Sequence, residues 1–383
     1  MKIIPRHRFE FSLLWLAQWL LIPDSERCRL GIQVSEEFAR RNASGRVLLF
    51  SSARGAFQYL LKKLDFPAES VFLIPEYDFY VYRKILENQG FRVKRVPVGK
   101  DFLLNSDALD AQIDQSCRAL ICLNLFSRCP DLRSISAICR DRGITLILDN
   151  VHSFGSTLDG AALSTYADFS LYSFGTGKHL PAFGGGALVL GEGRPILLED
   201  YENLERDESC GQLWPGMLEW FFTLPSVYAL TVFPIFSLLN LFCRNYLERC
   251  FFEDESSFSA PDMMRMSHFN TFLLKKQLDR CDDATRKRRM LSEQLKKGLS
   301  ELGMELPPET GGSRPNYLFY QLMMEEKLAR FLLSRGIDNR FDFCGTDYRA
   351  SGKLKSVYLP LYPQLTKDDI EYILKKIRVF LKK

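Results

Sequence analysis

A chain of 383 residues has room for two or three folding units of roughly 150 residues each. Hydrophobic residues are 46% and charged residues 26%, a balance that excludes a disordered or fibrous chain and leaves ample apolar surface for a core. Lysine and arginine outnumber the acids 51 to 47, a net charge of +4 that is too small for a protein held to nucleic acid by phosphate neutralisation.

Cysteine and histidine exclude further classes. The ten cysteines include no C-x-x-C pair and lie mostly in apolar runs such as 120–123, as small hydrophobes do. A reducing, cytoplasmic setting is therefore expected rather than a disulfide scaffold. His7, His152, His179 and His268 are too scattered for a structural zinc site, and no metal is expected.

In chain order, residues 1–45 read as an N-terminal arm with an apolar helix. Phe11 to Pro23 carries no charge, holds Trp15 and Trp19 four apart, and follows Lys2, Arg6, His7 and Arg8. A basic flank and apolar stretch are the first two regions of a signal peptide, but no small-residue cleavage site follows. A buried helix is expected, with an interfacial anchor as the alternative.

Residues 46–255 read as a large domain. Apolar runs at Val47–Phe50, Val71–Ile74, Phe91–Val98, Ala119–Leu125 and Ile144–Leu148 alternate with helical patterns through Phe57–Leu64, Ile85–Leu86 and Leu132–Ile138. Unbroken apolar strands between amphipathic helices predict an α/β fold with a parallel sheet covered on both faces. Near its end, Trp220 to Cys243 is an uncharged run of 24 residues. That length meets the criterion for a membrane span, but Pro225 and Pro234 would break one helix. Burial in a dimer interface or a helix pair is expected ahead of shallow membrane contact. Beyond Phe251-Phe252, residues 256–383 read as a long helix over Met266–Leu302, with a solvated face through Lys275, Lys276, Arg280 and Arg286–Arg289, then a smaller α+β domain.

Three segments carry chemistry together. Ser52-Ala53-Arg54-Gly55-Ala56 is a small-residue turn between strand and helix, which offers backbone N–H groups to a phosphate, although in isolation a plain N-cap at Ser52 is the favoured reading. Asp149 ends an apolar strand, where ligands of open parallel sheets sit. Lys178 lies among glycines between two apolar runs, Phe169–Phe174 and Ala187–Leu190. An ammonium there loses hydration, which lowers its pKa and frees the amine for Schiff-base chemistry.

The order and spacing of these segments resemble the fold-type I pyridoxal-phosphate enzymes, and within them the nucleotide-sugar aminotransferases of the DegT family. The matching stretches are Ser52–Ala56, Leu148-Asp149-Asn150-Val151-His152, and Ser173–Lys178 with Gly185-Gly186. Pro75–Phe79, Asn124–Ser127, Arg265–Ser267 and Leu359–Pro363 add matches in the right order. The resemblance implies a large, mostly parallel-sheet domain, a smaller C-terminal α+β domain, and a homodimer. It implies pyridoxal 5'-phosphate on Lys178, with Asp149 at the ring nitrogen, His152 near the ring's 3-hydroxyl and Phe79 stacked on the ring. It places Ser52, Ala53, Arg54 and Ser173 on the phosphate and Asn124 beside the cofactor. The implied reaction moves an amino group, with glutamate as donor, to a nucleotide-linked keto-sugar for amino-sugar or surface-polysaccharide synthesis. Alternatives are a sugar dehydratase, against which Lys178 speaks because the family's dehydratase variants lack the lysine, and a non-catalytic, membrane-associated homologue. Ala53 for glycine, Arg54 for threonine, His179 for asparagine, Met263 for asparagine and Gly184 for glutamate depart from the family pattern. The expected location is the cytoplasm, with peripheral contact at the inner membrane through 11–23 and 220–243 as the alternative.

Overall fold

A computed structural model describes residues 1–192, 198–209, 213–242, 261–324, 326–341 and 356–382. The arm forms α1 (Leu13–Leu21) and α2 (Asp24–Arg41). The large domain then runs β1 (Arg46–Phe50), α3 (Ala53–Leu64), β2 (Val71–Pro75), α4 (Tyr80–Asn88), β3 (Arg92–Val96), α5 (Ser106–Gln112), β4 (Cys117–Leu123), α6 (Leu132–Asp141) and β5 (Thr145–Asp149). Two short strands, β6 (Thr157–Leu158) and β7 (Ala161–Ala162), precede β8 (Phe169–Ser173) and β9 (Gly186–Leu190). Next come α7 (Leu198–Glu202), α8 (Leu213–Phe222), α9 (Pro225–Leu230) and α10 (Val232–Phe242). The C-terminal part holds α11 (His268–Leu278), α12 (Cys281–Glu301), β10 (Ser313–Arg314), β11 (Phe319–Leu322), α13 (Glu326–Ser334), β12 (Arg340–Phe341), β13 (Val357–Pro360) and α14 (Lys367–Leu381). The expected junction at Phe251-Phe252 lies outside the described residues.

The seven-stranded sheet has the order β1-β9-β8-β5-β4-β2-β3. Its pairs are parallel except those of β9, which runs antiparallel to both β8 and β1. The sheet is thus mostly parallel, as the resemblance implies, with β9 the reversed strand. The cause is the β8–β9 connection, which carries Lys178 but no crossover helix, and strands joined without a crossover must reverse. One apolar cluster packs α3 and α4 on one face of the sheet through Phe57, Leu60, Val81 and Ile85, and another packs α6 on the opposite face through Leu132 and Ile135. A separate core gathers β11–β13 with α12, α13 and α14 around Leu295, Leu332, Leu359 and Ile373.

The single helix expected over Met266–Leu302 is two. α11 ends at Leu278, with Asp279 as its C-cap, and Asp282 and Asp283 lie in the first turn of the next helix, where acids favour an N-terminus. The solvated face is also corrected at one residue. Arg288 is buried, with its guanidinium against His179 Nδ1 at 3.2 Å and the Leu361 carbonyl at 3.4 Å. The 24-residue apolar run (Cys243 lies outside the described residues) is broken as expected at Pro225, which takes the first position of α9. Pro234 does not break α10, because it falls in the first turn, where its missing N–H has no intrahelical acceptor to lose. Among the described residues no helix is long and apolar enough to cross a membrane.

Phe38 of α2 ties the arm to the sheet. It is fully buried, with ring centroids 4.9 Å from Phe154, 5.1 Å from Tyr172 and 5.6 Å from Phe174. Phe38→Ala should lower unfolding stability by about 3–5 kcal/mol, the range for an emptied aromatic core site, measured by urea denaturation.

Candidate active site

The strands other than β9 point the same way, so the carboxyl ends of β1, β2, β4, β5 and β8 open along one edge. Each is followed by a residue singled out in the sequence: Ser52 after β1, Phe79 after β2, Asn124 after β4, Asp149 and His152 at the end of β5, and Ser173 and Lys178 at the end of β8. Register keeps the ends of β5 and β8 side by side, because Asp149 pairs with Leu171 and Ser173 with Gly186.

The Lys178 amine lies 3.1 Å from His152 Nε2. Loss of hydration is the largest influence on the lysine. The Asp149 carboxylate opposes it, the Arg340 and Arg54 charges reinforce it, and the pKa falls to about 8. Burial, together with the charges of Lys178 and Arg340, holds His152 well below its ordinary value. The imidazole is therefore neutral, and its Nε2 can accept from the lysine. Burial pushes the Asp149 carboxyl up, against the Val151 amide at 3.0 Å, the Tyr82 hydroxyl and the Lys178 charge, which all favour the anion.

The other end of the site is the N-terminus of α3. Ser52 caps it, its Oγ accepting from the Gly55 amide at 3.0 Å, so the plain N-cap reading of Ser52 is present as well. Helix geometry aims the first-turn N–H groups of α3 out of its N-terminal end. β9 crowds this turn: a Cβ on Gly186 would stand 2.3 Å from the Ala53 nitrogen, so only glycine lets the two backbones approach. The Arg54 guanidinium lies over the half-exposed Phe79 ring at 5.6 Å. Asn124 is turned inward. It is buried, its side-chain amide donates to Asn150 Oδ1, and its backbone N–H donates to the Asp149 carbonyl at 3.1 Å.

Three residues at the site escaped the sequence reading. Tyr82, buried on the first turn of α4, donates its hydroxyl to Asp149. Its spacing three residues after Phe79, on one helical face, was the available signal. Arg340 acts on both Lys178 and His152, and the Phe319 ring stands edge-on to His152 at 5.4 Å. Both come from the C-terminal part, and local pattern gives no sign of contacts made over such separations.

With this geometry in place, the comparisons with known proteins are direct. Residues 32–199 form a domain of the DegT/DnrJ/EryC1/StrS aminotransferase family. The chain is 28% identical over 91 residues, 24% of each chain, to the dTDP-3-amino-3,4,6-trideoxy-alpha-D-glucose transaminase of Micromonospora megalomicea subsp. nigra. Its fold matches the crystal structure of the aminotransferase TlmJ from Streptoalloteichus hindustanus, with TM-score 0.75 and 20% identity over 100% of this chain and 99% of that one. It likewise matches the E. coli GDP-4-keto-6-deoxy-D-mannose-3-dehydratase with bound hydrated PLP, with TM-score 0.73 and 15% identity over 98% and 99% of the two chains. The chain aligns over less than half the length of the curated relatives it matches. The fold is that of the fold-type I aminotransferases.

A lysine whose folded pKa is about 8, below its ordinary value of 10.5, destabilises the fold wherever it is charged. That penalty is complete below pH 8 and fades as pH rises toward 10.5, because the unfolded chain binds the proton more tightly. Lys178→Met should therefore raise the unfolding midpoint at pH 7. The gain should shrink steadily between pH 8 and 10.5 in a series of thermal melts.

Proposed function

We propose that this protein is a pyridoxal-phosphate-dependent aminotransferase that moves an amino group, from glutamate, to a keto-sugar carried on a nucleotide. One observation carries the reading: the desolvated Lys178 amine and the buried Asp149 carboxylate act on each other across the carboxyl edge of the sheet. The residues present fit the cofactor. A lysine with a pKa of about 8 is roughly one-tenth unprotonated at pH 7, a few hundred times more than at its ordinary value of 10.5, and Schiff-base formation needs that free amine. The first turn of α3, pressed by Gly186, presents amides at the positive end of a helix, as a phosphate requires. In this reading the cofactor lies between them.

In this reading residues 46–255 form the cofactor-bearing domain, 256–383 the smaller domain and 1–45 an arm, in a homodimer. Ser52, Ala53, Arg54 and Ser173 hold the phosphate, and Arg54 supplies a charged fork where the family has threonine. Phe79 covers one face of the ring and Asn124 supports the site from β4. When bound, the cofactor supplies an electron sink for the carbon that loses its proton. Asp149 would pair with the ring nitrogen and His152 would face the ring hydroxyl. Lys178 would hold the cofactor, and its free amine could accept and return the proton of the substrate carbon. The dehydratase with the same fold supports a competing reading in which a sugar loses water; an amine at position 178 weighs against it. Peripheral contact with a membrane through 11–23 and 220–243 completes the proposal.

Adding pyridoxal phosphate to the purified protein should produce a visible Schiff-base absorbance, and borohydride should fix the adduct on the peptide containing Lys178. Lys178→Ala should lose both signals and reduce amino transfer from glutamate, across a panel of keto-sugar nucleotides, by about 10²–10⁴-fold. A colourless protein that takes up no cofactor would overturn the assignment in favour of a non-catalytic homologue.

A further inference from the structure

The outer surfaces of α1 and α8–α10 are apolar and open. Leu14, Leu20 and Leu21 of α1 are 72%, 75% and 82% exposed, Leu230 of α9 is 81%, and Trp214 of α8 is 69%. Ile235 and Leu238 of α10 continue the face. The sequences of α1, α9 and α10 contain no charged residue. The one in α8, Glu219, is turned to His7 at 2.8 Å and to Thr176. The helices adjoin one another: Phe11, just before α1, meets Trp220 of α8 with centroids 5.4 Å apart, and α9 packs on both α8 and α10. Scattered surface leucines are ordinary, but a run of adjoining uncharged helices is an apolar patch that calls for a partner. It lies wholly outside residues 32–199, the family domain.

Two features favour a bilayer over a second protein surface. Among the described residues the face offers no free charged group with which to fix register against a partner, whereas a specific interface carries about ten direct hydrogen bonds. Its border is basic: the Arg27 guanidinium lies over the Trp19 ring at 4.3 Å, Arg280 over Trp15 at 5.3 Å and Lys276 over Phe272 at 5.2 Å. Arg27 and Arg280 also meet Asp24 and Glu10, pairs exposed enough for lipid phosphate to compete with them. The longest of the four helices, α10, has 11 residues. At about 1.5 Å per residue its described length reaches little more than half of a hydrocarbon core about 30 Å thick, so the described helices fit along a membrane rather than across it.

We infer that α1 and α8–α10 seat this protein on an anionic bilayer, their leucines entering the acyl boundary side-on while Arg27, Lys276 and Arg280 meet lipid phosphates. The inference extends the membrane contact proposed above and is independent of amino transfer; its assay contains no cofactor or substrate, so the two readings fail separately.

The test is density-gradient flotation of the full chain with vesicles of phosphatidylcholine alone or mixed with phosphatidylglycerol. Most of the protein should float with the mixed vesicles and markedly less with phosphatidylcholine. Leu20→Glu/Leu21→Glu, and separately Leu230→Glu/Leu238→Glu, should reduce the floating fraction at least tenfold while circular dichroism stays that of the parent. Two variants on different helices guard against one of them misfolding. Protein that stays at the bottom with both vesicle types would overturn the inference, as would variants that float like the parent. So would a dimer that light scattering shows falling to monomers in both variants with flotation unchanged, since the face would then belong to a second copy.

Discussion

The arrangement depends on one constraint: a lysine amine is held at the carboxyl edge of the sheet by a connection that contains no helix. Because β8 returns directly as β9, the intervening loop cannot leave that edge, and Lys178 stays beside the end of β5, where Asp149 closes the strand. The same reversal brings Gly186 against the first turn of α3, so one topological choice sets both the amine and the helix N-terminus. Gly185, at a φ of 105°, makes the bend that a side-chain-bearing residue would resist.

Around Lys178 the Arg54 and Arg340 charges and the loss of hydration favour the neutral amine, and the Asp149 carboxylate favours the charged one. The strain of holding a charged amine out of water is the property that lets the amine react, so stability and chemistry pull in opposite directions at the same atom.

Much of this was legible in the sequence because the information is local. Apolar runs of strand length marked β1, β2, β4 and β5, and the residues just past them fall at the strand ends as topology demands. The reversal of β9 was not legible, since Ala187–Leu190 has the same apolar texture whichever way it runs. Nor was Arg288, whose neighbours Arg286 and Arg289 suggested a wet face; helical spacing turns position 288 inward toward the sheet. The run 220–243 left burial and exposure open for a physical reason. Its inner residues Trp220, Tyr228 and Phe233 pack into cores while Leu230, Ile235 and Leu238 stay outside, so an all-apolar segment served both surfaces and concealed their period.

Long-range contacts complete the account, and the residue after the lysine shows why. His179 is buried, its Nε2 2.9 Å from Thr285 Oγ1 and its Nδ1 3.2 Å from the Arg288 guanidinium, both on α12. The Arg288 side chain in turn reaches the Leu361 carbonyl just past β13. Burial holds His179 well below its ordinary pKa and brings Arg288 down to about 10, so a neutral imidazole can sit beside a cation without repelling it. The loop that bears Lys178 is therefore fastened to the C-terminal part of the chain one residue beyond the reactive amine. A departure from the family pattern at position 179, unexplained by sequence alone, is accounted for as the anchor that fixes where that amine can point.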